Sequence, residues 1–445
     1  MASAVAKKPQ GELVEKSFIH YFPVVLVCIL ICGVPSAILN SAAGIFYPVM
    51  AEDFGVPVSQ IAMWRTLDYI TGFIITPIAG IMLAKYNAKY IILSCAVVES
   101  LVFVLFGTAP SVYVLWIGGA IAGITNAVML GVSIAVIINR WFRTSVGLII
   151  GLSVAFTGFG GMLFTAIGQS LIDAEGWRYA YIALGIASLV IMTIAVLTCL
   201  KNSPEDKGLL PYGTAKMAAK NEVDTDTVVH APCVRPSVAR RSLVFWLMIC
   251  FGLLINIVCN INAFFASYIV WFNEQDVVVS GAVAAAFVTG AQLTIANSAG
   301  NAIGKVGLGF FSDLNLRNTF VLMAACGILG LFFMWQFPNT ILLPIGGFLM
   351  GCFIAAVLVI VPMFARRVFG EGASYPIIWS NIGMSLGLGG AVGSYIWAFI
   401  SENMGGYSAV FGLALACMFV LLIIGLVVYA KRDSLPREEL REEDL

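Results

Sequence analysis

Charge is scarce in this sequence. Asp, Glu, Lys and Arg make up 11% of its 445 residues, against roughly 25% in soluble domains. The signs balance at 24 each, so neither a nucleic acid nor an acidic partner is implied. Histidine occurs twice, at His20 and His230, which leaves no buried histidine relay. The ten cysteines are scattered with no zinc-type spacing. Cys28 and Cys32 share a helix face and read as small apolar packing residues. No P-loop occurs, which excludes ATP as a direct energy source. No metal-ligand cluster or nucleophile–base motif occurs either, so an enzyme is not expected. The opening stretch, MASAVAKKPQGELVEK, is polar and lacks a small-residue cleavage site. The first apolar segment is too long for a signal peptide and is expected to be retained.

What is abundant is apolar length. Hydrophobic residues make up 60% of the chain and its mean hydropathy is +0.97. Many segments exceed the ~18 to 20 apolar residues that span a bilayer as a helix. They are too long and uniform for the ~10-residue alternating strands of a membrane barrel. Twelve segments are expected, near 18–50, 58–84, 89–108, 111–138, 145–172, 178–200, 242–271, 279–311, 318–336, 339–364, 373–400 and 405–430.

Basic residues sort to one side of these segments. That side holds Lys7, Lys8, Lys16, Lys85, Lys89, Arg140, Arg143, the 201–241 linker, Arg317, Arg366, Arg367 and the tail from Lys431. The other side holds Glu52, Asp53, Asp173, Glu175, Glu274, Asp276 and Glu402, with Arg178 as the main exception. By the positive-inside rule both termini and the linker are expected in the cytoplasm. The linker is too short and too polar for a core of its own, and it splits the chain into six segments plus six.

The halves resemble each other. GIMLAKYNAK begins at Gly80 and GFFSDLNLRN at Gly309, an offset of 309 − 80 = 229. LWIGGAIAG and LPIGGFLMG align at 346 − 118 = 228, and NRWF and RRVF end at 369 − 142 = 227. GWRYAYIALG and GGYSAVFGLA align at 405 − 176 = 229. Four matches in order at nearly one offset point to duplication of a six-helix unit, as in carriers that rock two halves about a central site.

On these motifs the whole chain resembles the major facilitator superfamily. GFFSDLNLR is similar to that family's loop motif, with Gly309, Asp313 and Arg317 at its glycine, acid and basic positions. The copy at Gly80 is degraded, with Ala84 in place of the acid and only Lys85 and Lys89 keeping the charge. The resemblance implies a latch at this loop that is weak in the first half. NRWFRTSVGLIIGLSVAFTGFGG, SPEDKGLLPYG and GWRYAYIALG resemble the monocarboxylate porters and oxalate–formate antiporters. Glycines crowd segment 5 (Gly147, Gly151, Gly158, Gly160, Gly161, Gly168) and segment 11 (Gly383, Gly387, Gly389, Gly390, Gly393). Small residues allow close packing, and equally a sliding interface.

Ionisable groups inside spans cost about 2.5 to 3.5 kcal/mol on insertion scales and usually face a partner or a cavity. Thr294, Asn297, Asn301 and Lys305 follow steps of three, four and four, so they share one helix face. Two readings fit Lys305: a counter-charge for an anionic substrate, or a lysine that snorkels to the headgroups. The resemblance favours the first. In these carriers a cation four residues before the motif's glycine binds the substrate carboxylate. It is usually arginine; lysine offers a point charge instead of a fork.

Arg65 and Asp68 sit at i, i+3 in WRTLDY and can pair. With Glu99 they form either a static network or a proton-carrying group. Arg65 could also be a second substrate cation, which would favour a dicarboxylate. The resemblance to oxalate carriers implies a lysine in segment 11. YPIIWSNIGMSLGLGG has none, and Trp379 and Asn381 are its nearest polar candidates. Asn40, Tyr47, Asn126, Asn256, Asn260 and Asn262 are further possible cavity liners, or helix-joining polar groups.

The expected protein is an all-α membrane protein of 12 transmembrane helices in two pseudo-symmetric six-helix bundles, with no cofactor and no metal. Its expected parts are residues 1–200, a cytoplasmic linker 201–241, a second bundle 242–430 and a cytoplasmic tail 431–445. The expected function is secondary transport of small organic anions, chiefly monocarboxylates, by alternating access with proton symport or anion exchange. Its expected setting is the lipid bilayer of a cell (inner) membrane, as a monomer. Lys305, Asn301, Asn297, Tyr47, Asn381, Trp379, Asn126 and Arg65 are the expected substrate-binding residues. Asp68, Glu99, Asp313 and Arg317 are expected to gate or to carry protons. A carrier of neutral or drug-like solutes, and a dicarboxylate exchanger, are the alternatives.

Overall fold

The computed structural model describes residues 14–144, 146–214, 233–275, 278–279, 282–283, 285–370, 375–432 and 434–438. Some side chains within its helices, among them those of Lys85 and Asp313, lie outside the description. Among the described residues ten helices are long and apolar enough to cross a membrane. Val58–Lys85 and Gly290–Leu314 match them in length and carry the polar groups of interest. The twelve are α1 (Phe22–Phe54), α2 (Val58–Lys85), α3 (Ala88–Gly107), α4 (Val112–Trp141), α5 (Val146–Glu175) and α6 (Trp177–Cys199). After the linker come α7 (Leu243–Glu274), α8 (Gly290–Leu314), α9 (Leu316–Gln336), α10 (Leu342–Phe369), α11 (Tyr375–Asn403) and α12 (Gly406–Ala430).

One boundary needs correction. The apolar run near 279–311 was expected to be helical throughout. Instead Val278–Val279 pairs antiparallel with Ala282–Val283, and the helix starts at Gly290. The β-branched valines favour the hairpin. Thr289 and Gln292 form a reciprocal capping box that sets the helix start. Three helices are also broken where the sequence reads as continuous. In α1 the chain bends at Val34–Pro35 and widens over Ile38–Ala42. In α4 it widens over Ala127–Ser133, and in α7 it tightens over Asn260–Phe264. Pro35 signals the first break; the second has no evident sequence mark.

The repeat is visible in the packing. Gly176 and Gly405, 229 residues apart, both turn the chain at positive φ, 86° and 99°. Only glycine does this without strain. A Cβ on Gly119 or Gly123 of α4 would strike the carbonyls of Trp64 and Asp68 on α2. A Cβ on Gly347 or Gly351 of α10 would strike Leu293 and the Asn297 carbonyl on α8. The partners again differ by 293 − 64 = 229 and 297 − 68 = 229. These glycines bring α2 onto α4 and α8 onto α10 at backbone contact.

Each copy of the NRWF/RRVF motif is tied to a neighbouring extended segment. Tyr212 N–H donates to the Trp141 carbonyl (2.9 Å) and Arg143 N–H to the Tyr212 carbonyl (2.8 Å). In the second half Val234 N–H donates to the Phe369 carbonyl (2.8 Å), and Cys233 exchanges two 2.9 Å bonds with Glu438. The linker's first residues thus pack on the first bundle, where Tyr21 Oη also donates to the Leu210 carbonyl (2.6 Å). Arg178, the exception in the charge pattern, pairs with Asp53 and lies over the Trp177 ring at 4.3 Å.

The bundles meet most extensively where α5 packs on α8 and α2 on α11, and α1 also touches α7. Their tightness varies along their length. A Cβ on Gly158 of α5 would lie 2.7 Å from Ala302 of α8, whereas one on Gly151 or Gly147 would meet nothing within 4 Å among the described residues. Spacings of seven and eleven residues return to within ~20° of the same face at ~100° per residue. On α11, a Cβ on Gly390 would lie 2.6 Å from the Tyr69 ring and one on Gly387 3.6 Å from Phe73, whereas one on Gly383 would meet nothing within 4 Å among the described residues. Both interfaces are therefore closed from mid-helix toward the acid-rich face and splayed toward the linker face.

Candidate functional site

Two polar centres lie inside the helices. The first belongs to α1, α2, α3 and α4. Arg65 pairs with Asp68 (Nη1–Oδ2 2.9 Å), donates to the Leu39 carbonyl (3.3 Å), to Asn40 Oδ1 and to Tyr69 Oη (3.5 Å), and lies 4.8 Å over the Tyr69 ring. The widened turn of α1 at Ile38–Ala42 presents Leu39 and Asn40 to it. Tyr47 is buried nearby, edge-on to Trp64 and to Phe264 of α7. Asn126 stands beside Asp68, and Glu99 stands by Thr125 within electrostatic reach of Asp68 and Arg65. Glu99 is 0% exposed; the Thr125 hydroxyl donates to the Ala122 carbonyl, and among the described residues neither carboxyl oxygen of Glu99 has a hydrogen-bond donor. The charge of Arg65 is thus matched, and that of Glu99, if ionised, would not be.

The second centre lies between α5 and α8. Ser298 and Ala302 of α8 face Gly158 and Gly161 of α5, and Gly300 and Gly304 face Phe348 and Cys352 of α10. The stripe of Thr294, Asn301 and Lys305 runs in the angle between these two packed faces. Lys305 is 9% exposed. Its Nζ donates to Thr157 Oγ1 and to the Val154 carbonyl (3.2 Å), both on α5. It therefore does not snorkel. It has no carboxylate partner among the described residues. Among the described residues the side-chain carbonyl oxygens of Asn297 and Asn301 have no donor.

The remaining expected residues lie apart from both centres. Asn381 Nδ2 donates within α11 to the Ile377 carbonyl (2.8 Å), and Trp379 is partly buried on the same helix. Asn256 and Asn260 join α7 to α11 through the Leu386 carbonyl and Ser394. Arg317 is exposed at the start of α9. The Asp313 side chain lies outside the described residues. Sequence reasoning missed Thr157, whose only signal is its place before Gly158 in the glycine-rich run. It also missed the place of Glu402, which lines a cavity of about 720 Å³ at the acid-rich face together with Glu52, Asp173, Glu274, Ser267 and Tyr407.

Comparison with known proteins decides the family. Residues 29–296 match the model described as Major Facilitator Superfamily, that is 296 − 29 + 1 = 268 of 445 residues. The chain belongs to the Major Facilitator Superfamily. It is a multi-pass membrane protein of a family whose members are transporters and not enzymes. The MFS-type transporter pynF of Aspergillus niger is 27% identical over 37% of this chain and 38% of its own. Monocarboxylate transporter 11 of Homo sapiens is 26% identical over 35% and 33%. The alignments thus span about a third of each of these relatives. Among solved structures, a mutant of the nucleoside transporter NupG has a TM-score of 0.69 at 13% identity, covering 92% of this chain and 100% of its own. A bacterial homologue of the human lysosomal transporter Spinster, inward-facing and occupied, has a TM-score of 0.65 at 15% identity, covering 95% and 98%. At such identities these two establish the fold alone. It is the expected one, with twelve helices in two pseudo-symmetric bundles.

Proposed function

We propose that this carrier moves small organic anions, chiefly monocarboxylates, by alternating access. The observation that carries the reading is Lys305. It is a buried cation at the junction of the two bundles, with neutral hydrogen-bond acceptors and no carboxylate among the described residues. Burying an unmatched charge is costly, and an incoming carboxylate supplies the match. Arg65 lacks this character because Asp68 already pairs with it. One free cation suits a monocarboxylate better than a dicarboxylate. The relatives named as monocarboxylate transporters 11 and 14 of Homo sapiens point the same way.

Glu99 is the group best suited to carry a proton. A carboxyl with no donor and no solvent is far less costly neutral than ionised. Its closeness to Asp68 and Arg65 links it to the static pair on α2. Proton symport is the resulting mode, with anion exchange as its uncoupled form. The linker face, splayed here, is read as the cytoplasmic one in the cell membrane, which makes this an inward-open state of a monomeric carrier. Asn297 and Asn301 are read as further liners of the anion site. Arg317, with Asp313, is read as part of the linker-face latch. The six-plus-six division at the linker is the unit of motion.

A second reading is efflux of a larger solute, since the thioclapurine efflux transporter of Claviceps purpurea is also a relative. Uptake into proteoliposomes separates the two. Labelled monocarboxylate flux that depends on Lys305 supports anion transport. Flux of neutral solutes that ignores Lys305→Ala supports the second reading.

A further inference from the structure

The ammonium of Lys305 has three N–H donors. Two are taken by α5, through Thr157 Oγ1 and the Val154 carbonyl. The Thr157 hydroxyl in turn donates its own proton to the Val154 carbonyl at 2.9 Å. That bond fixes the hydroxyl as an acceptor toward Lys305. The third N–H has no acceptor among the described residues. The ammonium is thus held by two bonds from the opposite bundle, with one N–H left over.

The backbone explains why Thr157 can reach. Gly158 packs against Ala302, with room for no Cβ, and Gly161 packs against Ser298. Lys305 lies one turn beyond Ala302, beside the residue that precedes Gly158. The close approach belongs to the glycines, and the Thr157 side chain adds only its hydroxyl.

We infer that Thr157 is the positioning residue of the anion site. It orients the Lys305 ammonium so that one N–H points at a single carboxylate oxygen of the substrate. This rests on the anion reading above. It also makes the site a joint property of both bundles. Lys305 binds the anion from α8, and α5 sets the direction of the charge. Opening the α5–α8 interface at this height therefore disorients the ammonium and weakens its hold on the substrate.

The test is uptake and direct anion competition in proteoliposomes for Thr157→Val, Thr157→Ala, Thr157→Ser and Lys305→Ala, with folded yield checked by size exclusion. Valine keeps the shape and removes the acceptor; alanine is the second probe should valine misfold. The expected result is a KM about tenfold higher in Thr157→Val or Thr157→Ala, with maximal rate changed less than twofold and restoration in Thr157→Ser. A purely structural role would lower folded yield or maximal rate and leave KM alone, and that result overturns the inference. So does a wild-type KM in Thr157→Val while Lys305→Ala is inactive; the anion reading then stands without Thr157. Wild-type uptake in Lys305→Ala overturns both.

Discussion

Glu402, at the end of α11, sits on the N-terminus of α2 and clasps Ser59. Its two carboxylate oxygens accept from Ser59 N–H at 2.8 Å and from Ser59 Oγ at 2.5 Å. A carboxylate at a helix N-terminus meets unpaired N–H groups and the positive end of the dipole. The two residues belong to opposite bundles and lie on the acid-rich face, where the interfaces are closed. About two turns along, Thr66 Oγ1 donates across the same interface to the Ala391 carbonyl (3.2 Å). If that face must open during transport, the clasp must break. Oxidative cross-linking of a Ser59→Cys, Glu402→Cys pair is expected to block uptake, and reduction to restore it. Unimpaired uptake by the cross-linked protein would show that this face does not separate.

The glycine faces give a second prediction. Gly158→Leu drives a side chain into Ala302 and is expected to lower both thermal stability and transport. Gly151→Leu enters open space in this state, so stability should stay near wild type. Transport should still fall by about tenfold, because the opposite state closes that stretch of α5 on α8. Thermal melting alongside uptake distinguishes the pair. Full activity in Gly151→Leu would contradict a rocking α5–α8 interface.

Arg65 and Asp68 are buried, 6% and 2% exposed. Removing one partner strands the other charge, at about 3 to 5 kcal/mol. Arg65→Met is therefore expected to melt well below wild type, and Arg65→Met with Asp68→Leu to recover much of the loss. Equal destabilisation by the single and double changes would mean that the contacts to Leu39 and Asn40 matter more than the pair.

For Glu99 the prediction concerns coupling. Glu99→Gln keeps the shape and removes the ionisable proton. Uptake driven by a proton gradient should fall at least tenfold, while exchange of labelled for unlabelled anion persists. Loss of both would give Glu99 a structural part instead.

Much of this was legible in the residues. Apolar length gave the twelve helices, and the spacing of Gly118, Gly119 and Gly123 against Gly346, Gly347 and Gly351 gave the repeat that the packing repeats. The periodicity of Thr294, Asn297, Asn301 and Lys305 marked the polar stripe. What stayed hidden depends on contacts between distant segments. Nothing local to Thr157 says that an ammonium 148 residues on will rest there. Nothing near Ser59 says that Glu402 will cap its helix. The widened turn of α4 and the hairpin before α8 were missed because hydropathy does not distinguish one apolar backbone from another. Arg65 was left open between static pair and substrate cation; its ion pair with Asp68 and its contacts with Asn40 and the Leu39 carbonyl weigh toward the pair.

The most direct measurement is Lys305→Ala in proteoliposomes offered labelled monocarboxylates, with and without an inward proton gradient. Loss of gradient-driven uptake, with folded protein intact, is the predicted result. Undiminished uptake would contradict the assignment of Lys305 as the substrate's counter-charge.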